Sequence, residues 1–328
     1  MSSAPVAEGT AMRIVSLLPS ATEILYAVGA GESVVGVTFE CDEPAAARSS
    51  AAIVSTSSLP ETVDGRAPTP REIDAHVRAR LAAGEDLYHL DRDALSGLDA
   101  TLVITQDLCA VCAVDVSEVR DALAHLGCAA QVVTTDPHTL DEVLASIQQI
   151  GDACDRSDEA AALIASLQDR LASVPGEPAG GAPRVAVLEW TDPPFAPGHW
   201  VPEMVTRAGG LSVLGVAGAR SVPVSWADVE AADPEIVIVA PCGFDLPTST
   251  ALAEELLLNS PLAAMVASGD GSADESADGA GVQVWAVDAN ASFARPGPRL
   301  VDGIEAVAAI LDPARYGMPP AHLAYRLR

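Results

Sequence analysis

The sequence predicts an α/β protein of two lobes, each built on a parallel sheet, joined by a helical segment. Short apolar segments typical of buried strands alternate with amphipathic helices. The alternation stops at residue 139, where two consecutive helical patterns follow, and it resumes after the Pro- and Gly-rich stretch 175–183. The expected parts are therefore an N-terminal α/β lobe at 12–138, a connecting helical segment at 139–175 and a C-terminal α/β lobe at 184–328.

The first lobe begins with a strand that Pro19 ends. Ser20 and Glu23 then form a capping-box pattern, which predicts a helix with Ser20 as its N-cap, and Gly29 suits the end of that helix. A second strand (SVVGVT) follows. The same order recurs later with a helix at VSEVRDALAHLG between two further strands. Besides SVVGVT, the predicted strands of this lobe are 13–18, 102–105 and 131–134.

The residue pattern of the connecting segment predicts two helices in succession. TLDE, which starts at Thr139, is a second capping box and opens a helix to about Cys154; helical spacing of apolar residues predicts another helix at 158–174. The second lobe then has strands at 184–190, 235–240 and 282–287. The acidic stretch 269–281 is interpreted as a solvated loop without a role in a site.

Composition excludes several functions. The net charge is -28, and all 18 basic residues are arginine. A chain without lysine has no P-loop lysine, Schiff-base lysine or kinase lysine. The negative charge repels nucleic acid. The first residues resemble no export signal and no apolar segment approaches the roughly 20 residues that a membrane span needs, so no membrane insertion and a cytoplasmic location are expected.

Four of the six cysteines follow strand-like segments, where the loops of a parallel sheet form a ligand-binding crevice. In a reducing compartment, four such thiolates suit a zinc ion or an iron–sulfur cluster. The alternative is that small buried cysteines pack as apolar residues, which is the interpretation for Cys128 and Cys154 on or beside helices. The four candidate ligands are Cys41, Cys109, Cys112 and Cys242.

Aromatic residues concentrate in the same loops, where they suit the wall of a pocket for a large ring-like molecule. For any one of them the alternative is core packing. The loop 189–204 adds polar candidates, among them His199, either an axial metal ligand or a surface histidine. Arg295 could pair with an anionic group of a ligand or cap a helix. The aromatic residues are Phe39, Phe195, Phe244, Phe293, Trp190 and Trp200.

These segments also resemble a known family. RIVSLLPSATEILYAVGAG with VVGVTFECDEP, and later WADVEAADPEIVIVAPCGF and ANASFARPGPRLVDGIE, resemble the cobalamin- and iron-chelate-binding class of periplasmic binding proteins, over about 12–312. TFECDEP, QDLCAVCA, EWTDPPFAPGHWVPEM and PCGF resemble its cobalamin-binding branch without an export signal. The resemblance implies the class III fold of that family, in which two α/β lobes are joined by one long helix and the ligand lies between them.

The resemblance also implies a set of residues on ligand-facing segments. It places there Pro19, Ser20, Glu40, Cys41, Asp42, Gln106, Glu189, Trp190, His199, Trp200, Cys242, Phe244 and Arg295.

Two hypotheses follow from the sequence. The leading one is a non-enzymatic binding protein for cobalamin or another metal chelate, either a substrate-binding protein that serves an ABC permease or a cytoplasmic derivative of one. The alternative is a metalloprotein or redox protein that holds an iron–sulfur cluster or zinc through Cys41, Cys109, Cys112 and Cys242.

Overall fold

The computed structural model describes residues 11–106, 129–174, 176, 181–267 and 281–328. The chain divides into two compact units that interleave along the sequence. The N-terminal unit consists of Met1–Ser58, Gly84–Asp136 and Ile147–Leu163, and the C-terminal unit consists of Leu59–Ala83, Pro137–Ser146 and Ile164–Arg328. The sequence predicts three consecutive parts without interleaving. In the structure, residues 59–83 group with the C-terminal unit although they fall inside the predicted N-terminal lobe.

The N-terminal unit is built on a five-stranded, fully parallel sheet in the order β3-β2-β1-β6-β7. The chain moves outward from β1 in one direction and then in the other, so the order reverses between β1 and β6. Two further strands form a small antiparallel pair, β4-β5. The strands are β1 Ile14–Ser16, β2 Val34–Val37, β3 Ala52–Ile53, β4 Ser55–Ser57, β5 Tyr88–Leu90, β6 Leu102–Gln106 and β7 Gln131–Thr135.

The helices described in the N-terminal part of the chain are short, apart from α3, which belongs to the C-terminal unit. Their bounds are α1 Pro19–Ala27, α2 Ala46–Ser50, α3 Pro70–Ala82 and α4 Arg92–Leu95. The helix predicted at VSEVRDALAHLG lies outside the described residues.

Helix α1 corrects one prediction. The helix begins at Pro19, its N-cap is Leu18 in an extended conformation, and no side chain caps it. The prediction of Ser20 as the N-cap was therefore wrong, and Ser20 lies buried inside the first turn. Proline suits the first helical position because its missing N–H is one that a helix start leaves unpaired. Gly29 follows the C-cap with φ +78°, as the predicted helix end requires.

The connecting segment forms two helices, α5 Leu140–Ala153 and α6 Ser157–Ala172, as its residue pattern predicts. The capping box is present: the Glu142 amide donates to Thr139 Oγ1 (3.3 Å), and the Thr139 amide donates to Glu142 Oε2 (3.1 Å). Between the helices, Asp155 takes a positive φ of 57°. A Cβ atom on Gly151 would lie 2.3 Å from the Cβ of Ala160, so glycine lets the two helices approach closely.

The C-terminal unit is built on a second five-stranded sheet in the order β11-β8-β13-β14-β15, in which only β15 is antiparallel. Here the order reverses between β8 and β13. A smaller antiparallel sheet has the order β12-β10-β9. The strands are β8 Arg184–Leu188, β9 Trp190–Thr191, β10 Pro194–Ala196, β11 Leu211–Ser212, β12 Val222–Pro223, β13 Ile236–Val239, β14 Gln283–Val287 and β15 Ala324–Arg326.

Strands β8, β13 and β14 are continuous apolar segments because both of their faces are covered, which is typical of parallel sheets. Alternate residues of these strands, such as Val237 and Val239, pack with Ala253 and Leu256 in one hydrophobic core. Within the part of the chain that the structure describes, no helix is both long and apolar enough to span a bilayer. The remaining helices are α7 Val201–Arg207, α8 Trp226–Ala231, α9 Leu246–Asn259, α10 Leu262–Ala267, α11 Ala289–Ser292, α12 Leu300–Leu311 and α13 Pro313–Tyr316.

Candidate functional site

The segments that follow β8 and β13 lie side by side in the C-terminal unit. The Ala240 amide donates to the Leu188 carbonyl (2.9 Å), and the Cys242 amide donates to the Glu189 carbonyl (3.1 Å), so the pairing of the strands continues past their ends. Open α/β sheets bind ligands beyond the carboxyl ends of their strands, at the point where the strand order reverses. These two segments occupy that point in the C-terminal sheet.

Two aromatic rings meet at this position. The Trp190 and Phe244 ring centroids are 5.7 Å apart with an interplanar angle of 33°. Both residues are only partly buried, so ring surface stays accessible. The Asn290 amide donates to the Phe244 carbonyl (3.1 Å), which brings in the segment after β14 as well. We call Trp190 and Phe244 the aromatic pair; it gives the unit an accessible apolar surface at the switch point of its sheet.

Phe244 is positioned by a tight turn. The Phe244 amide donates to the Pro241 carbonyl (3.2 Å), and Gly243 adopts φ +84°, a conformation that favours glycine. The turn leaves the Cys242 side chain exposed. The sequence PCGF therefore places an exposed thiol and a partly exposed aromatic ring beyond the carboxyl end of β13.

Glu189 lies between the end of β8 and Trp190. Its carboxylate accepts hydrogen bonds from the Ser221 hydroxyl and from the Gly198 amide (3.2 Å). Burial raises the pKa of Glu189 to about 7, and the two hydrogen bonds oppose that increase. Glu189 thus connects the β8 end to two later segments.

His199 and Trp200 follow the β9–β10 hairpin, but they differ in exposure. Trp200 is buried, and its indole Nε1 donates to the Phe293 carbonyl (2.8 Å). Phe293 is buried too, so these two rings pack in the core. His199 is partly exposed with φ +49°, and its ring centroid lies 5.6 Å from those of His138 and Trp200. Roles for His199 and Trp200 in ligand binding stay predictions.

Arg295 follows α11 and is largely buried, with 9% of its surface exposed. Its carbonyl accepts from the Gly297 amide (2.8 Å), which closes a turn before α12. The predicted pairing of Arg295 with an anionic ligand group stays a prediction.

The N-terminal unit has its own switch point at β1 and β6. Pro19 and Ser20 follow β1, and Gln106 ends β6; Ser20 and Gln106 are buried. The segment after β2 carries Glu40 and the exposed Asp42. These residues thus lie on segments beyond the carboxyl ends of their strands, as the resemblance implies, and their contact with a ligand stays a prediction.

An aromatic stack that the sequence did not indicate lies in this unit. Phe39 stacks on Tyr88 with centroids 5.8 Å apart and an interplanar angle of 26°. The Tyr88 hydroxyl donates to Glu40 Oε1 (3.1 Å). Tyr88 is on the short strand β5, 48 positions after Glu40, and no local pattern connects the two.

Cys41 is completely buried in the N-terminal unit. Its Sγ lies 3.0 Å from Thr22 Oγ1 and 3.1 Å from Thr38 Oγ1. Cys154 is buried as well, as its packing interpretation expects, and burial raises the pKa of its thiol. Cys109, Cys112 and Cys128 lie outside the described residues. Over the described ranges, no group of three or more His, Cys, Asp or Glu side chains is placed to hold a metal ion, and the four-cysteine cluster stays a prediction.

Two α/β units, one on a parallel sheet of five strands and one on a five-stranded sheet in which only the last strand is antiparallel, and a helical segment at 140–172 define the fold of the periplasmic binding proteins for haem, vitamin B12 and iron chelates. The fold class predicted from the sequence is confirmed. No protein-family model matches the sequence, and a comparison with curated proteins finds no match either.

Three solved structures illustrate the likeness. The haem-binding protein RhuT from Roseiflexus sp. RS-1 is 22% identical with a TM-score of 0.61, over 93% of this chain and 100% of that one. A periplasmic haem-binding protein from Pseudomonas aeruginosa is 20% identical with a TM-score of 0.60, over 97% and 95%. The vitamin B12-binding protein BtuF of Vibrio cholerae is 20% identical with a TM-score of 0.56, over 92% and 97%. At these identities the likeness establishes the fold.

Proposed function

We propose that this protein binds a flat, macrocyclic metal chelate of the haem or corrinoid kind and acts as a substrate-binding protein, not as an enzyme. The aromatic pair carries the proposal. Trp190 and Phe244 present partly exposed rings 5.7 Å apart at the switch point of the C-terminal sheet. Flat apolar walls with few polar groups are what a site for a large conjugated ring requires.

The surroundings of the pair support binding more than catalysis. Glu189, which directly precedes Trp190, accepts hydrogen bonds from Ser221 and Gly198. Its hydrogen bonds hold two segments together, which makes it a structural carboxyl. The similar structures described above as haem- and vitamin B12-binding proteins favour the same ligand class for this chain.

The test is an equilibrium titration of the purified protein with haemin, cyanocobalamin and a compact, non-planar ferric chelate. We expect one of the two macrocycles to bind and to change its visible absorption spectrum. We expect Trp190→Ala and Phe244→Ala each to weaken binding about tenfold, because aromatic residues at the centre of a site contribute most of its affinity. Tyr325→Ala is the matched control, since Tyr325 is an exposed aromatic residue on β15. Absence of binding by both macrocycles would overturn the proposal.

The place of action and the partner follow from the same proposal. A substrate-binding protein outside the cytoplasmic membrane delivers its ligand to an ABC permease, whereas a cytoplasmic one holds or transfers it inside the cell. The cytoplasmic location expected from the pattern of the first residues stays a prediction, and the permease is the partner that export would require. Detection of the native protein in separated cell fractions decides between the two settings.

A further inference from the structure

Helix α3 is built as a locally stabilised element. Thr69 and Glu72 form a complete capping box, and the Arg66 guanidinium donates to both Glu72 carboxylate oxygens (2.8 and 2.7 Å). These contacts lower the pKa of Glu72 to about 2, so its carboxylate stays ionised at all ordinary pH values. Of the 13 residues of the helix, only Pro70 is buried. The cap therefore stabilises the start of the helix. Six further residues of the helix are only partly buried: Glu72, Ile73, Asp74, His76, Val77 and Arg80.

Contacts at the N-terminus of α3 attach it to the hairpin that carries Trp190. The Trp190 indole Nε1 donates to the Pro70 carbonyl (3.2 Å). The Arg71 guanidinium donates to both carboxylate oxygens of Asp192, from Nε at 2.9 Å and from Nη2 at 3.0 Å. All of these residues belong to the C-terminal unit. We call this ion pair, together with the indole hydrogen bond, the latch.

The latch bears directly on the aromatic pair. Trp190 lies on β9 and Asp192 lies in the turn that follows it, so the same hairpin contacts the start of α3 through both residues. The edge of the Trp190 indole is fixed by the Pro70 carbonyl, and its ring meets Phe244. Whatever holds Pro70 in place therefore also fixes the orientation of the indole.

We infer that Arg71 and Asp192 are positioning residues, which hold α3 against the hairpin and thereby fix the Trp190 ring in the orientation that receives the ligand. Breaking the latch frees α3 and leaves the indole to rotate. The ion pair is exposed on both sides, 76% for Arg71 and 44% for Asp192, so salt weakens the latch. The part that concerns the ligand rests on the function proposed above.

The first experiment needs no ligand. Hydrogen exchange of residues 70–82 and the indole N–H resonance of Trp190, assigned by its loss in Trp190→Phe, are compared in wild type, Arg71→Gln and Asp192→Asn. We expect exchange in α3 to become about two- to fivefold faster, as one bidentate surface pair allows, and the indole resonance to shift. The double variant Arg71→Asp with Asp192→Arg should restore both readouts.

Arg78→Gln is the control, because it removes the Arg78–Asp74 ion pair within the same helix (2.6 Å) and leaves the hairpin untouched. It should leave the Trp190 resonance in place. High salt should abolish the difference between wild type and Arg71→Gln. If α3 exchange and the indole resonance are unchanged in Arg71→Gln and Asp192→Asn, the latch is refuted, whether or not any chelate binds.

The second experiment measures the dissociation rate of haemin, or of cyanocobalamin where haemin does not bind. Dissociation should be about two- to fivefold faster in Arg71→Gln, with recovery in the charge-swapped double variant. If hydrogen exchange of α3 is faster in Arg71→Gln but the probe dissociates at the wild-type rate, the positioning role in ligand binding is refuted. If the wild-type protein binds neither probe, the proposed function is refuted. The hydrogen exchange of α3 and the indole resonance of Trp190 still decide whether the latch exists.

Discussion

The two units place the same sequence pattern in different surroundings. In each, a cysteine follows a buried strand close to a phenylalanine: Cys41 after Phe39, and Cys242 before Phe244. In the N-terminal unit the thiol is completely buried among threonine hydroxyls. In the C-terminal unit the thiol is exposed by a glycine turn.

This difference shows what decides exposure after a strand. The strand fixes where the segment begins, but the turn that follows fixes which way its side chains point. Gly243, with its positive φ, turns the chain so that Cys242 faces outward and Phe244 meets Trp190. Both rings of the C-terminal aromatic pair are consequently partly exposed, whereas in the N-terminal stack Phe39 is partly exposed and Tyr88 is buried.

The largest expected effect concerns the Glu189 carboxyl, which precedes Trp190 in the C-terminal unit. Because the pKa of Glu189 is raised from 4.5 to about 7, the native state binds its proton more tightly than the unfolded state. The stability that this proton contributes should therefore be fully present below pH 4.5 and should be lost, by roughly 3 kcal/mol, as the pH rises through 7. Glu189→Gln should remove this fall, measured by denaturant unfolding along a pH series.

The control for that series is Ser221→Ala. The Ser221 hydroxyl stabilises the carboxylate, so its loss should raise the pKa of Glu189 further and steepen the fall in stability. Superimposable pH profiles for wild type and Glu189→Gln would show that the carboxyl is not enclosed.

Thiol labelling tests the comparison between the two cysteines directly. In the native protein Cys242 should react with a soluble maleimide roughly 100-fold faster than Cys41, or more, because Cys41 becomes accessible only when its unit opens. Mass spectrometry of digested samples gives both rates in one experiment. The buried Cys154 should be protected like Cys41, and comparable labelling of Cys41 and Cys242 would abolish the contrast.

A smaller effect is expected from the close approach at Gly198. A Cβ atom there would lie 2.3 Å from the Ser221 amide nitrogen and 2.7 Å from the Ala219 carbonyl oxygen. Gly198→Ala should lower the free energy of unfolding by about 2 kcal/mol, since backbone atoms must move apart. Gly317→Ala is the control for conformation: a Cβ atom there would have no atom within 4 Å, so its cost of roughly 1–3 kcal/mol would come from the backbone conformation alone, at φ 76° and ψ -171°. A loss near zero in Gly198→Ala would show that the surrounding backbone moves apart without cost.

The smallest effect belongs to the N-terminal stack. Tyr88→Phe keeps the ring on Phe39 and removes the hydrogen bond to Glu40. We expect a loss of about 1 kcal/mol in chemical denaturation and no change in chelate binding. A clear loss of chelate affinity in Tyr88→Phe would mean that the N-terminal stack takes part in the site.

The sheets were predictable from the sequence because their strands are buried on both faces and give continuous apolar segments. The predicted segment 102–105 corresponds to Leu102–Gln106, and 235–240 corresponds to Ile236–Val239. Strands β3, β4 and β5 have only two or three residues, so no periodicity could indicate them. The grouping of 59–83 with the C-terminal unit depends on contacts such as Arg71 with Asp192, separated by 121 positions.

The candidate site was predictable only in part. Trp190, Cys242 and Phe244 were identified because they follow strands, and position after a strand is readable in a sequence. Ser221 and Pro70 were missed because their partners lie 32 and 120 positions away, with no local motif to connect them. The failed N-cap at Ser20 has a local reason, since Pro19 already supplies a favourable first helical residue.

The most direct measurement of the central claim is a crystal structure of the protein with haemin or cyanocobalamin, in which anomalous scattering locates the iron or cobalt atom. We expect a single metal position beside the Trp190 and Phe244 rings, with the macrocycle lying against them. A metal atom bound away from both rings, or crystals grown with saturating chelate that contain none, would contradict it.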